Sequence, residues 1–390
     1  MDQLSKDPPQ TSALYIHIPF CEKRCSYCDF YTVANRNEAI PEYIAALQTE
    51  MALYAKNDFW QAQRVSTIYF GGGTPSLLKP EQIKSLLATA HRLFTIERDV
   101  EVTLEANPGT VDEAMLMGYY QAGVNRLSLG VQSFWDDELR QVDRLHNATD
   151  IYETVHLARK TGFCNLSIDL IFALPGQRPS RWRHNLEQAV ALAPEHISAY
   201  NLTIEDGTPL FRLLKAGKVR QLSEWKARCV FNFTIDYLQS HGYEQYEVSN
   251  YAKPGFSSQH NYKYWDGSPY LGLGASAHSF DGKRRFWNID NYVHYIRKLQ
   301  NCLQAVSGEE ILTESQKRFE TIFLGLRRIS GLDLLQYYQA FGRNFLDEFR
   351  AQIDRLTGHA PPLIEMENNH LHLTRNGLLL CDTVCAAFFK

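Results

Sequence analysis

Between residues 13 and 204 the chain repeats one rhythm six times, a short β-rich run followed by a helical pattern. Nothing else in it restricts the fold as strongly. The runs are 14–18, 65–70, 100–104, 126–131, 166–171 and 197–204, and most are nearly continuously apolar, as strands buried on both faces are. The segments between them read as amphipathic helices. In 81–94, Ile83, Leu86, Leu87, Ala90, Leu93 and Phe94 share one stripe. Another helix follows Thr110 as N-cap and closes at Gly123. Six β/α units in series imply a parallel sheet with right-handed crossovers. An eight-stranded barrel needs more units than this. An open doubly wound sheet and a partial barrel remain, and the expectation is an α/β fold built on a partial (β/α)6 barrel.

The rhythm ends after a helix over 224–241. Residues 242–280 are rich in Tyr, Gly and Asn, and 291–299 reads as a helix. From 313 the pattern is helix (314–329), helix (333–341), a hairpin of 363–366 and 371–373 around Asn368-Asn369, and a last helix from Asn376. That order suggests an α+β, winged-helix-like C-terminal domain. The expected organisation is a polar tail (1–12), a barrel (13–242), a connecting segment (243–312) and the C-terminal domain (313–390). A formal net charge of −4 gives no electrostatic reason to expect nucleic acid as a partner. The longest apolar runs, such as 166–174, are too short to span a bilayer. The first thirteen residues are polar with no hydrophobic signal segment, so the expected location is the cytoplasm.

Three of the eight cysteines crowd into Cys21-x3-Cys25-x2-Cys28, directly after the first run. The other five, Cys164, Cys229, Cys302, Cys381 and Cys385, are scattered and read as packing or chance. The triplet falls at the carboxyl end of a strand, where α/β sheets place their ligands. Zinc would want a fourth ligand at similar spacing, and none lies near. A [4Fe–4S] cubane can use three thiolates and leave one iron open to chelate the amino and carboxylate groups of a methionine moiety. After the second run comes Gly71-Gly72-Gly73-Thr74-Pro75. Glycines there let a backbone approach a ligand closely, and no Gly-Lys-Ser/Thr follows to make a phosphate loop. Polar residues recur at later strand ends: Glu105, Gln132 and Asp169.

These residues resemble the radical SAM superfamily, and 14–30 resembles its oxygen-independent coproporphyrinogen III oxidase-like branch. The likeness extends over nearly the whole chain, including the C-terminal domain. It implies a [4Fe–4S] cluster on Cys21, Cys25 and Cys28, with S-adenosylmethionine (SAM) bound at the open iron and cleaved reductively. It also implies SAM contacts from Tyr15, Tyr27, Gly72, Gly73, Thr74, Glu105, Gln132, Arg144 and Asp169, with Arg144 taking the methionine carboxylate. The alternatives are structural: carboxylates paired inside the sheet, aromatic packing for the tyrosines, and for Arg144 a surface ion pair with Asp143 or Asp137.

Within the branch, coproporphyrinogen dehydrogenases carry a further cysteine two residues past the motif, where this chain has Asp29-Phe30, and a longer N-terminal extension than the fourteen residues before Tyr15. Both differences count against decarboxylation. His260-Asn261-Tyr262-Lys263-Tyr264-Trp265, followed by 270–279, resembles instead a signature of the branch's heme chaperones. This implies heme as cargo and an acceptor hemoprotein as partner, with a respiratory, membrane-bound acceptor and peripheral association with the membrane among the options. His260, Tyr264, Trp265 and His278 are the heme-contact candidates, with His278 the rival axial ligand to His260. The oligomeric state is open, a homodimer included. The alternative function is oxidative decarboxylation of coproporphyrinogen III to protoporphyrinogen IX. A third is radical chemistry on another substrate, with the His-Asn motif structural.

Overall fold

The computed structural model describes residues 11–389, so most of the expected tail lies outside the described residues. The six runs form parallel strands: β1 (Thr11–Ile18), β2 (Arg64–Gly72), β3 (Thr95–Ala106), β4 (Arg126–Gln132), β5 (Leu166–Phe172) and β6 (His196–Asn201). They lie side by side in chain order. A doubly wound sheet reverses its order at a switch point. This one does not, so every right-handed crossover falls on the same face. The result is the partial barrel.

The strands are not apolar on both faces. Side chains alternate along each strand. Ile16, Phe70, Leu104, Leu129, Leu170 and Ile197 join one core with Leu47, Leu86, Leu116, Ile151 and Leu186 of the crossover helices. The opposite face carries Tyr69, Glu105, Arg126, Ser128, Asp169 and Ser198, which line an interior cavity. The expected helix after Thr110 begins at Glu113, with Asp112 as its N-cap, accepting a 2.8 Å bond from the Met115 amide. Thr110 instead donates its hydroxyl to the Asn107 carbonyl.

Residues 243–312 add strands at both edges of the sheet. Asn250–Ala252 pairs antiparallel with β6, and Tyr270–Leu273 pairs parallel with β1, followed outward by His278–Phe280, Arg284–Asn288 and Val306–Ile311. Glu50, on the helix Ile40–Tyr54, ties this extension to the barrel. Its carboxylate accepts from Asn288 Nδ2 (2.6 Å), Tyr295 Oη (2.6 Å) and the Gly274 amide (2.8 Å). The C-terminal region has helix Glu314–Arg327, a three-stranded antiparallel sheet (Leu332–Asp333, Ile364–Glu367, His370–Leu373) and intervening helices. This is the winged-helix-like order. Among the described residues no helix is long and apolar enough to cross a membrane.

Candidate cluster and cofactor site

The thiol loop leaves β1 at Ile18 and folds over the end of β2. The Gly73 amide bonds the Ile18 carbonyl (2.8 Å), and the Thr74 amide bonds the Phe20 carbonyl (2.8 Å). The Gly72 amide donates to Glu105 Oε2 (3.1 Å). These amides are therefore committed, and what the glycine loop can still offer a ligand is carbonyl oxygen, which suits an ammonium and not a phosphate. Gly72 has φ +113°, and a Cβ there would meet the His17 ring at 2.5 Å; a Cβ on Gly73 would meet Phe20 O at 2.7 Å. Side chains at either position would push directly on the strand end that carries Cys21.

One hydrogen-bonded path joins two of the thiols. Thr74 Oγ1 donates to Cys21 Sγ (3.5 Å), Asn107 Nδ2 donates to Thr74 Oγ1 (3.2 Å), and Arg144 Nη2 donates to Asn107 Oδ1 (2.6 Å). Arg144 Nη1 completes it on Cys25 Sγ (3.7 Å). Arg144 also donates to the Gly130 carbonyl, and a Cβ on Gly130 would meet its Nη2 at 2.7 Å. The surface ion pairs considered for Arg144 do not form: Asp143 pairs with Lys23 and Asp137 with Arg181. All eight cysteines are free; Cys381 and Cys385 are buried, whereas Cys164, Cys229 and Cys302 are exposed. Burial pushes the Cys21 thiol up to about 11 and raises Cys28 as well. Ligation by iron would reverse that, because metal binding displaces the proton.

Beside this loop opens a cavity of about 440 Å³. Tyr27, Cys28, Gly72, Gly73, Thr74, Glu105, Gln132, Arg144 and Asp169 all line it. Tyr15 does not; its hydroxyl donates to His17 Nδ1 (3.0 Å), and His17 Nε2 donates to the Tyr31 carbonyl (2.9 Å). A register shift between Leu129 and Gln132 ends β4, and Gln132 has φ +66°, a left-handed turn that re-aims its side chain. Asp169 accepts from Ser128 (2.8 Å), Ser198 (2.7 Å) and Ser167 (3.1 Å), which hold a carboxylate on three different strands. Glu105 accepts from Tyr69 (2.8 Å), and burial raises its pKa to about 7.

Of the heme-contact candidates, His260 and Tyr264 touch each other, while Trp265 and His278 pack against other partners. His260 is 1% exposed, on a short helix, Gln259–Trp265. The Glu101 carboxylate accepts from the Gln259 and His260 amides. Both ring nitrogens of His260 are engaged, with Thr67 Oγ1 at 2.8 Å and Tyr264 Oη at 3.1 Å, and its ring stacks on Tyr69. An imidazole so placed has no lone pair to give a metal outside. Trp265 lies under the Arg327 guanidinium at 5.2 Å. His278 alone is exposed, stacked on Trp287 at 5.8 Å.

Sequence reasoning missed Asn107, Ser128, Ser198 and Asn261 as site residues. Asn107 had a local signal, the Asn-Pro turn after β3; Ser128 and Ser198 had only their period-two spacing.

The match to the radical SAM superfamily covers residues 15–189, and the match to the HemN C-terminal domain covers 312–380. Coproporphyrinogen III oxidase (HemN) from Escherichia coli superposes with a TM-score of 0.84 at 25% identity, over 99% of this chain and 92% of that one. Fold, thiol loop and cavity thus define a radical SAM protein. Heme chaperone HemW of Bacillus subtilis is 36% identical over 96% of this chain and 98% of its own, and HemW of Mycobacterium tuberculosis is 33% identical over 98% and 95%. A mitochondrial radical S-adenosyl methionine domain-containing protein 1 from Danio rerio is 34% identical over 96% and 86%. The chain belongs to the HemW family of heme chaperones.

Proposed function

We propose that this protein is a heme chaperone that carries a [4Fe–4S] cluster on Cys21, Cys25 and Cys28, binds SAM in the adjoining cavity, and passes heme to an acceptor hemoprotein. The observation that carries this reading is the alignment with a heme chaperone over nearly the full length of both chains. The residues present fit both groups. Three free thiols share one loop, two of them hydrogen-bonded by Thr74 and Arg144, and the cavity beside them presents two guanidiniums, Arg144 near the thiols and Arg126, and two carboxylates to a zwitterionic, cationic ligand. When bound, the reduced cluster supplies the electron for C–S cleavage of SAM. Arg144 holds the methionine carboxylate, the glycine-loop carbonyls and Glu105 face its ammonium, and Gln132 and Asp169 fix the remainder.

Glu105 makes this site pH-dependent. Burial raises its carboxyl to about 7, so below that pH the group is protonated and gives no charge to a cation. SAM affinity should rise from about pH 6 to about pH 8, by up to tenfold per unit, and the slope should vanish in Glu105→Gln. The same shift destabilises the ligand-free fold as pH rises from the unfolded carboxyl pKa through 7, the sign expected for a raised carboxyl. A flat pH profile for SAM binding would remove Glu105 from the site.

Heme needs an exposed ligand, and His278 supplies one. Partial burial and the Arg285 charge lower its pKa, which keeps the imidazole neutral as iron ligation requires. His278→Ala should shift the Soret band and weaken heme binding about tenfold or more. His260→Ala should cost stability, about 2 kcal/mol or more from two buried bonds, while the Soret position stays put. Titration of both variants with heme, alongside thermal unfolding, checks this; a Soret shift confined to His260→Ala would reverse the assignment.

A further inference from the structure

Arg126 opens β4 and is 1% exposed, among the largest fully buried side chains of the molecule. It forms no side-chain hydrogen bond or ion pair among the described residues, and its Nε is an orphaned donor. A buried guanidinium without a hydrogen-bonding partner is costly, and here only the through-space attraction of Glu105 offsets part of its desolvation. The same side chain lines the cavity. Its neighbours explain its place. Along β4 the inward positions are Arg126, Ser128, Gly130 and Gln132, so Arg126 is at the cavity floor, three steps below Gln132. Thr103 sits opposite it on β3, and the Thr103 hydroxyl is also buried and unpartnered. The third member comes from the His-Asn-x-x-Tyr-Trp helix. Asn261 lines the cavity, and its side-chain amide makes no hydrogen bond among the described residues. His260 and Glu101, beneath it, hold that helix against the barrel.

We infer that Arg126 and Asn261 form a receptor for the carboxylate of a second organic ligand, bound deeper in the barrel than SAM. This rests on the reading of the upper cavity as the SAM site. Two features select a monoanionic carboxylate over a phosphate. Glu105 and Asp169 share the cavity and repel a dianion, and the glycine-loop amides that could cradle phosphate are bonded elsewhere. A guanidinium edge with a neighbouring amide matches the two oxygens of an alkyl carboxylate such as a propionate group. The motif's asparagine, and not its histidine, is then the residue that meets a ligand.

The test uses reconstituted full-length protein with SAM bound, and propionate against its neutral isostere propionamide as probes. Propionate should raise the unfolding temperature and propionamide should not, with propionate affinity about tenfold or more weaker in Arg126→Gln and weakened in Asn261→Ala. In the absence of any ligand, Arg126→Met should unfold at a higher temperature than the parent, because it removes a buried charge that has no hydrogen-bonding partner. Equal shifts from both probes would overturn the proposal, as would a lower unfolding temperature for ligand-free Arg126→Met. Loss of SAM and propionate binding together in Arg126→Gln would also overturn it, since it would mean that the arginine only supports the cavity. Failure of the parent protein to bind SAM would instead strike the reading of the upper cavity.

Discussion

Anaerobically reconstituted Cys21→Ala, Cys25→Ala and Cys28→Ala proteins are expected to hold no [4Fe–4S] cluster, where the parent holds about one per chain. The effect should be close to all-or-none, because each thiolate would ligate a different iron and no spare donor stands nearby. Among the described residues no group of three or more His, Cys, Asp or Glu side chains is arranged to hold a metal ion, the three thiols included. Alanine at Cys164, Cys302 or Cys381 should leave iron content unchanged; the first two are exposed and the third is buried beside Cys385. Iron and acid-labile sulfide analysis with the near-ultraviolet and visible spectrum decides the matter. Similar iron loss in both sets of variants would break the ligand assignment.

Arg144→Ala should weaken SAM binding by about tenfold to a hundredfold, the loss of a charge-assisted, fork-shaped contact with a carboxylate. It should also disturb the cluster, which distinguishes this arginine from a simple ligand clamp. Its guanidinium bonds Cys25 Sγ and, through Asn107 and Thr74, reaches Cys21 Sγ. Removing it leaves Asn107 Oδ1 and the Gly130 carbonyl without their donor. Arg144→Lys should recover little, since an ammonium cannot span these acceptors in one plane. Equilibrium dialysis with SAM and the cluster spectrum, measured on the same sample, give both readouts. Normal SAM affinity in Arg144→Ala would contradict the site.

Much of this is legible in the sequence. The β/α rhythm places six strands, and the cysteine spacing with the glycine run marks the end of the barrel where ligands bind. What escaped has physical causes. Reading the strands as continuously apolar hid a period-two alternation: Arg126-x-Ser128-x-Gly130-x-Gln132 and Ser167-x-Asp169 are inward faces, and the apolar residues between them pack against the helices. Asn107 earns its role only through Arg144 and Thr74, partners 37 and 33 residues away that no local pattern reveals. The re-aiming of Gln132 depends on a left-handed residue at a strand end, a conformation that glutamine does not advertise. His260 is ambiguous for a simpler reason. A histidine among aromatics looks the same in sequence whether its ring faces a ligand or a Thr67 hydroxyl in the core. Asp112 displaced Thr110 as a helix cap because Thr110 closes the preceding turn, its amide and hydroxyl both bonded to the Asn107 carbonyl.

Heme transfer measured against decarboxylation tests the central claim most directly. Heme-loaded protein with cluster and SAM is mixed with an apo-hemoprotein, and movement of the Soret band to the acceptor is followed. In parallel, the same preparation with reduced cluster, SAM and coproporphyrinogen III is assayed for CO₂. A chaperone should pass heme to the acceptor faster than free heme is lost to a scavenger, and it should release no CO₂. Robust CO₂ release without heme transfer would contradict the account and make the chain a coproporphyrinogen oxidase.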